Sequence, residues 1–173
     1  RDWVQAWTLW LIRSSRPGDA ASLFHIFTSV VRDHDVGIAQ YLLPHLVLHI
    51  LISGSSQQRR TVLGESLAVL ADQAHPALGY EPERRRLTAQ TLFHVLDHVG
   101  HWMRRMRLVP LRMARRSRWR DALSDVQAIM DELSPDLLAQ ASLQCDAYAR
   151  ALLHFEYRIR AMRPQPPLSL IHI

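Results

Sequence analysis

Three histidines, His94, His98 and His101, fall at i, i+4 and i+7, with Asp97 between them. On a helix that spacing puts three imidazoles on one face. Two histidines one turn apart suit zinc when further donors complete a tetrahedron. No His-Glu-x-x-His motif occurs, and the sequence places no cysteine or acid to finish the set. A solvated helix face is therefore the expectation, and no metal ligand is assigned. His45 and His49 repeat the spacing inside the most apolar stretch of the chain. There the expectation is imidazoles hydrogen-bonded within a core.

Cys145 is the only cysteine. A nucleophilic thiol needs a cationic or helix N-terminal setting that lowers its pKa. Its neighbours Gln144, Asp146 and Ala147 supply none, so a structural cysteine is expected. A lone cysteine also rules out an internal disulfide and suits a reducing compartment, cytosol or nucleus.

All 21 basic residues are arginine. Eight of them, Arg104, Arg105, Arg107, Arg112, Arg115, Arg116, Arg118 and Arg120, lie between His98 and Arg120 without one acid among them. The net charge of +5 is thus a property of that segment, and the remainder is net acidic. Guanidinium groups there could neutralise phosphates, and the flanking Trp102 and Trp119 could stack on bases. The plainer reading, favoured here, is a solvated basic linker with both tryptophans in the core.

Enzyme templates fail. Without lysine there is no phosphate-binding Gly-x-x-x-x-Gly-Lys loop. No Gly-x-Ser-x-Gly elbow, glycine-rich kinase loop or His-Arg-Asp catalytic loop occurs. No catalytic or cofactor-binding residue is assigned within the chain.

The elements that would carry these residues all read as helices. Residues 38–52 are apolar almost all round, too short for a comfortable membrane crossing, and should be buried between neighbours. Pro44 inside them predicts a kink, or a restart near Leu43. Trp3, Trp7 and Trp10 share one face of a first helix, with Val4 and Leu11. Arg16-Pro17-Gly18 stops it, and Asp19 should cap a second helix over 20–32. Gly54 suits a helix end, and a fourth helix covers 57–73. A long helix over 83–108 should turn Leu87, Leu92, Phe93, Leu96, Val99 and Trp102 inward. Residues 110–118 read as the basic linker, and 119–133 as a shorter helix. Ser134-Pro135-Asp136 combines a capping serine, proline at the first helical position and an acid in the first turn. One helix should then run through to about Met162.

The fold class expected is all-α: about seven helices in antiparallel pairs, stacked as an α-solenoid. The absence of an initiator methionine suggests a piece of something longer, and no signal peptide is visible. Residues 163–173 follow a proline run without helical patterning and are expected to be a non-native end.

Two blocks carry more than composition. Tyr41-Leu42-Leu43-Pro44-His45-Leu46-Val47-Leu48-His49-Ile50-Leu51 resembles the Tyr-Leu-Leu-Pro-His helix before the FAT region of the ATR checkpoint kinases. Leu133-Ser134-Pro135-Asp136-Leu137-Leu138-Ala139-Gln140-Ala141-Ser142, continuing through Ala147 to Glu156, is similar to the opening of that FAT region. Leu87 to Trp102 looks like the helix the family places between them. The segment from Arg104 to Asp121 matches poorly.

The resemblance implies HEAT-like repeats over 1–109 and the start of a FAT domain over 119–162. It implies a nuclear Ser/Thr kinase that responds to replication stress and works with the partner ATRIP. ATP and a divalent metal would belong to a kinase domain outside this chain. The chain itself would be a scaffold, partnered by neighbouring helical repeats, without a membrane. Any nucleic-acid contact would be indirect. The alternative is a nucleic-acid-binding helical module built on the arginines from Arg104 to Arg120.

Overall fold

A computed structural model describes residues 2–16, 18–33, 36–75, 81–108 and 117–162. Among them are nine helices and no strand. They are α1 (Asp2–Ser14), α2 (Asp19–Ile26), α3 (Thr28–Asp33), α4 (Val36–Ser53), α5 (Ser56–Ala74), α6 (Pro82–Arg107), α7 (Ser117–Asp131), α8 (Pro135–Gln144) and α9 (Tyr148–Met162).

The chain is organised around α4. Its 18 residues have a mean hydropathy of 1.6, enough by length and composition to cross a membrane. Here α1, α3, α5, α6 and α7 all pack on it instead. Leu43, Leu46 and Ile50 have no exposed surface. Truncating any one of them to alanine would cost about 2–5 kcal/mol. The helix runs through Pro44 unbroken, with no restart near Leu43. It is not buried all round: Tyr41 is 72 % exposed. On α1, Val4, Trp7 and Leu11 are buried, while Trp3 and Trp10 are partly buried against the same core.

The turn between α4 and α5 is held by both backbone and side-chain bonds. The Gly54 amide donates to Ile50 O at 2.8 Å. A Cβ on Gly54 would lie 2.4 Å from that same carbonyl, so the close approach requires glycine. Ser55 caps α5: its Oγ accepts from Gln58 N at 3.3 Å, and the Gln58 side chain accepts from Ser55 N at 2.7 Å. The Gln58 amide also donates to Ser14 O at 2.6 Å, tying in the end of α1.

Several expectations are corrected. The single helix over 20–32 is two, interrupted at Phe27, and its N-cap is Gly18 rather than Asp19. Ser134 starts α8 without a side-chain capping bond; the first turn is held by Pro135 and by Asp136, which pairs with Arg158 at 2.5 Å. The expected helix from Pro135 to Met162 is broken at 145–147. There Asp146 takes φ 57°, Ala147 N donates to Ser142 O at 2.9 Å, and Asp146 N donates to Leu143 O at 3.1 Å. This is a Schellman closure with aspartate where glycine is usual. It folds α9 back along α8, the most extensive helix pairing in the structure. Leu87 faces outward, and Val95 takes an inner place in α6.

One apolar core runs from Val4 and Trp7 through α4 to Val126, Leu133, Leu138, Ala141 and Cys145. Polar ties join the layers. Arg59 of α5 pairs with Asp125 of α7, Arg107 of α6 donates to Gln127 of α7, and Gln73 of α5 donates to Gln144 O at 3.0 Å. This is helix stacked on helix, an all-α solenoid.

Candidate functional site

The arginine-rich segment is divided by the fold. Arg104, Arg105 and Arg107 occupy the last turn of α6, where they favour the negative end of the helix dipole. All three are exposed. Arg107 is bonded to Gln127. Among the described residues no acid is paired with Arg104 or Arg105. Arg120 is exposed near the start of α7. Arg112, Arg115 and Arg116 lie outside the described residues, as does the side chain of Arg118. Trp102 packs partly buried against the core, but Trp119 is 44 % exposed. The expectation of two core tryptophans therefore holds for Trp102 alone.

The three α6 histidines share a strip as their spacing requires: His94 and His101 exposed, His98 half-buried. His45 is not in the core. It is exposed, and it joins the strip from α4, its ring 4.6 Å from that of His98 between centroids. The Tyr41 ring, also on α4, lies 5.6 Å from that of His45, tilted by 52°. Proximity in sequence could not show this, because the two helices meet only through the tertiary fold. Burial lowers the pKa of His98, and His45, His94 and His101 lower it further. Among the described residues no group of three or more His, Cys, Asp or Glu side chains could hold a metal ion.

His49 is half-buried, against Phe24 at 5.7 Å. Ser53 Oγ lies 3.3 Å from its Nε2, which invites comparison with a nucleophile beside its base. The hydroxyl, however, donates to His49 O at 2.7 Å, so its proton is already engaged. The ring nitrogen would then be the donor in the 3.3 Å contact, the reverse of a base. Burial lowers the His49 pKa as well.

Cys145 is buried at the end of α8. Burial pushes its thiol pKa up, Asp146 adds to that, and Arg86 opposes it. A thiol held protonated is a poor nucleophile.

A groove of about 640 Å³ runs between α6 and the start of α9, lined by Asp97, Asp146, Ala147, Tyr148, Ala149, Arg150 and Leu153. Its charged groups are engaged. Arg150 grips Asp97, and Arg86 pairs with Asp146 at 2.9 Å. Tyr148 donates to Asp146 at 3.0 Å, which raises the phenol pKa.

Comparison with known proteins agrees with this helical reading. The family described as "Serine/threonine-protein kinase ATR, M-HEAT region" matches residues 1–168. The serine/threonine-protein kinase ATR of Oryza sativa subsp. indica is 28 % identical over 186 residues, covering 92 % of this chain and 7 % of the relative. Protein kinase rad3 of Schizosaccharomyces pombe is 26 % identical over 173 residues, 91 % of this chain and 7 % of the relative. The Arabidopsis thaliana ATR kinase is 27 % identical over 188 residues, 92 % and 7 %. The chain thus spans about 7 % of the length of the curated relatives it matches. No solved structure matches it. With a helical stack among the described residues and the family match covering nearly every residue, the chain belongs to the M-HEAT region of the ATR serine/threonine-protein kinases.

Proposed function

We propose that the chain is a non-catalytic scaffold segment of a nuclear ATR-like kinase of the DNA damage and replication checkpoint. It joins a partner-binding solenoid to the FAT and kinase regions. ATP, a divalent metal and an ATRIP-like partner belong to other parts of that protein.

One observation carries this reading: apolar side chains face outward at both flanks of the stack. Leu23, Ile26 and Val30 do so on α2 and α3, and Leu152, Leu153, Tyr157, Ile159 and Met162 on α9. Large apolar side chains left exposed on these helices suit an interaction surface, and in a repeat stack each face is covered by the next repeat. The test is L152E/I159E. In the isolated chain it reduces self-association without lowering Tm. In a full-length kinase it impairs activation, because the neighbouring repeat loses its seat. Unchanged self-association and unchanged activation would overturn the reading.

Exposed Arg104, Arg105 and Arg120, with exposed Trp119 next to Arg120 in the chain, support a second reading as a nucleic-acid contact. Single-strand affinity should then fall steeply with salt, the logarithmic slope easing by about 0.7 for each phosphate-contacting arginine replaced by alanine.

A further inference from the structure

The joint between α4 and α6 brings imidazoles together from both helices. His45 meets His98 edge to face, ring centroids 4.6 Å apart and planes at 73°. His94 and His101 flank His98 about one turn away on either side. Among the described residues no carboxylate acts on His98. Asp97, next to His98, is taken by two guanidinium nitrogens of Arg150 at 2.8 and 2.5 Å. Tyr41, which faces His45, is uncharged at neutral pH. The groups whose charges act on His98 are His45, His94 and His101, all of them bases. Helices α5 and α7, which also pack on α6, contribute none among the described residues.

An edge-to-face pair tolerates one proton, since a cation edge can sit against a neutral ring. A second proton puts like charges together with no acid between them. We infer that the His45–His98 pair is a proton-operated release in the α4–α6 joint, closed while at most one ring is charged and loosened when both are. The joint lies on the central helix of the stack. Loosening it would let α6 shift against α4 and pass that shift to the helices packed on both.

The test follows the histidine ring protons of the chain by NMR from about pH 8 to about pH 5, across the range where imidazole titrates. In H45Q the titration midpoint of His98 should rise, because one of the charges that lower it is removed. The fall in Tm over the same range should be smaller in H45Q than in the unchanged chain. A His98 midpoint that stays put in H45Q would overturn the proposal. His45 is exposed, so H45Q keeps the fold and decides the question.

Discussion

Arg150 of α9 holds Asp97 of α6 with two guanidinium nitrogens, one to each carboxylate oxygen, at 2.8 and 2.5 Å. The same guanidinium lies 4.9 Å above the Phe93 ring. The hydrogen bond to Asp97 raises the Arg150 pKa above its ordinary value, against burial. The pair is the polar latch between the last helix and the middle of the stack.

Replacing Arg150 with alanine should cost about 1–2 kcal/mol, part from the half-exposed ion pair and part from the cation–π contact. R150K should recover some of it, since a lysine keeps the charge but loses the two-pronged geometry. A double-mutant cycle with D97N, read by denaturant unfolding, should return a coupling of about 0.5–1 kcal/mol. A coupling of zero would mean that the latch contributes nothing.

Two glycines should respond oppositely to the same change. At Gly54 a Cβ would meet Ile50 O at 2.4 Å, while at Gly64 nothing lies within 4 Å. G54A should destabilise by about 1–3 kcal/mol, as overpacking does. G64A, on the exposed side of α5, should stabilise by about 0.5–1 kcal/mol through helix propensity. Thermal unfolding of the two variants side by side checks both signs.

Among the described residues, Asp146 is the non-glycine residue with positive φ, at 57°. D146A should destabilise by about 1–2 kcal/mol, since it keeps the strained backbone and loses the bonds to Arg86 and Tyr148. D146G should lose the same bonds but not the backbone penalty, and so should be the milder change. Hydrogen exchange at Asp146 and Ala147 would report the opening of this turn directly.

Stability should fall on acidification below about pH 6.5, where unfolded imidazole takes up its proton. Burial lowers the pKa of His49, His98 and His154 in the folded chain; Arg150 adds to it at His154, against Asp97. A depressed histidine pKa means that the unfolded state binds more protons over that interval, so stability increases with pH through it. The contribution is fully present above the unfolded pKa and lost as pH falls towards and through the folded values. Tm recorded at successive pH values should show this, and H49Q should shallow the fall.

Much of the helical framework was legible because period and punctuation are local. The break at Gly54 placed the start of α5 within a residue of Ser56, though the Ser55–Gln58 box itself was seen only in the structure. The break at Cys145 was not legible, since Asp146 replaces the glycine that signals such a stop. Leu87 carries the same apolar side chain as Leu92, yet lies on the side of α6 that no neighbour covers. The α6 histidine strip was readable from its spacing, but its fourth member, His45, was not.

Sequence alone determined the class of architecture and the central helix. Apolar residues at helical spacing must find a shared interior, and 38–52 is the most apolar run in the chain. Which side chains meet across helices was decided only by the tertiary structure. Contacts such as His45 with His98, Arg150 with Asp97 and Arg59 with Asp125 join residues more than 50 places apart. They depend on how each helix is rotated about its axis, and that rotation is set by packing the whole core at once, not by any local run of residues.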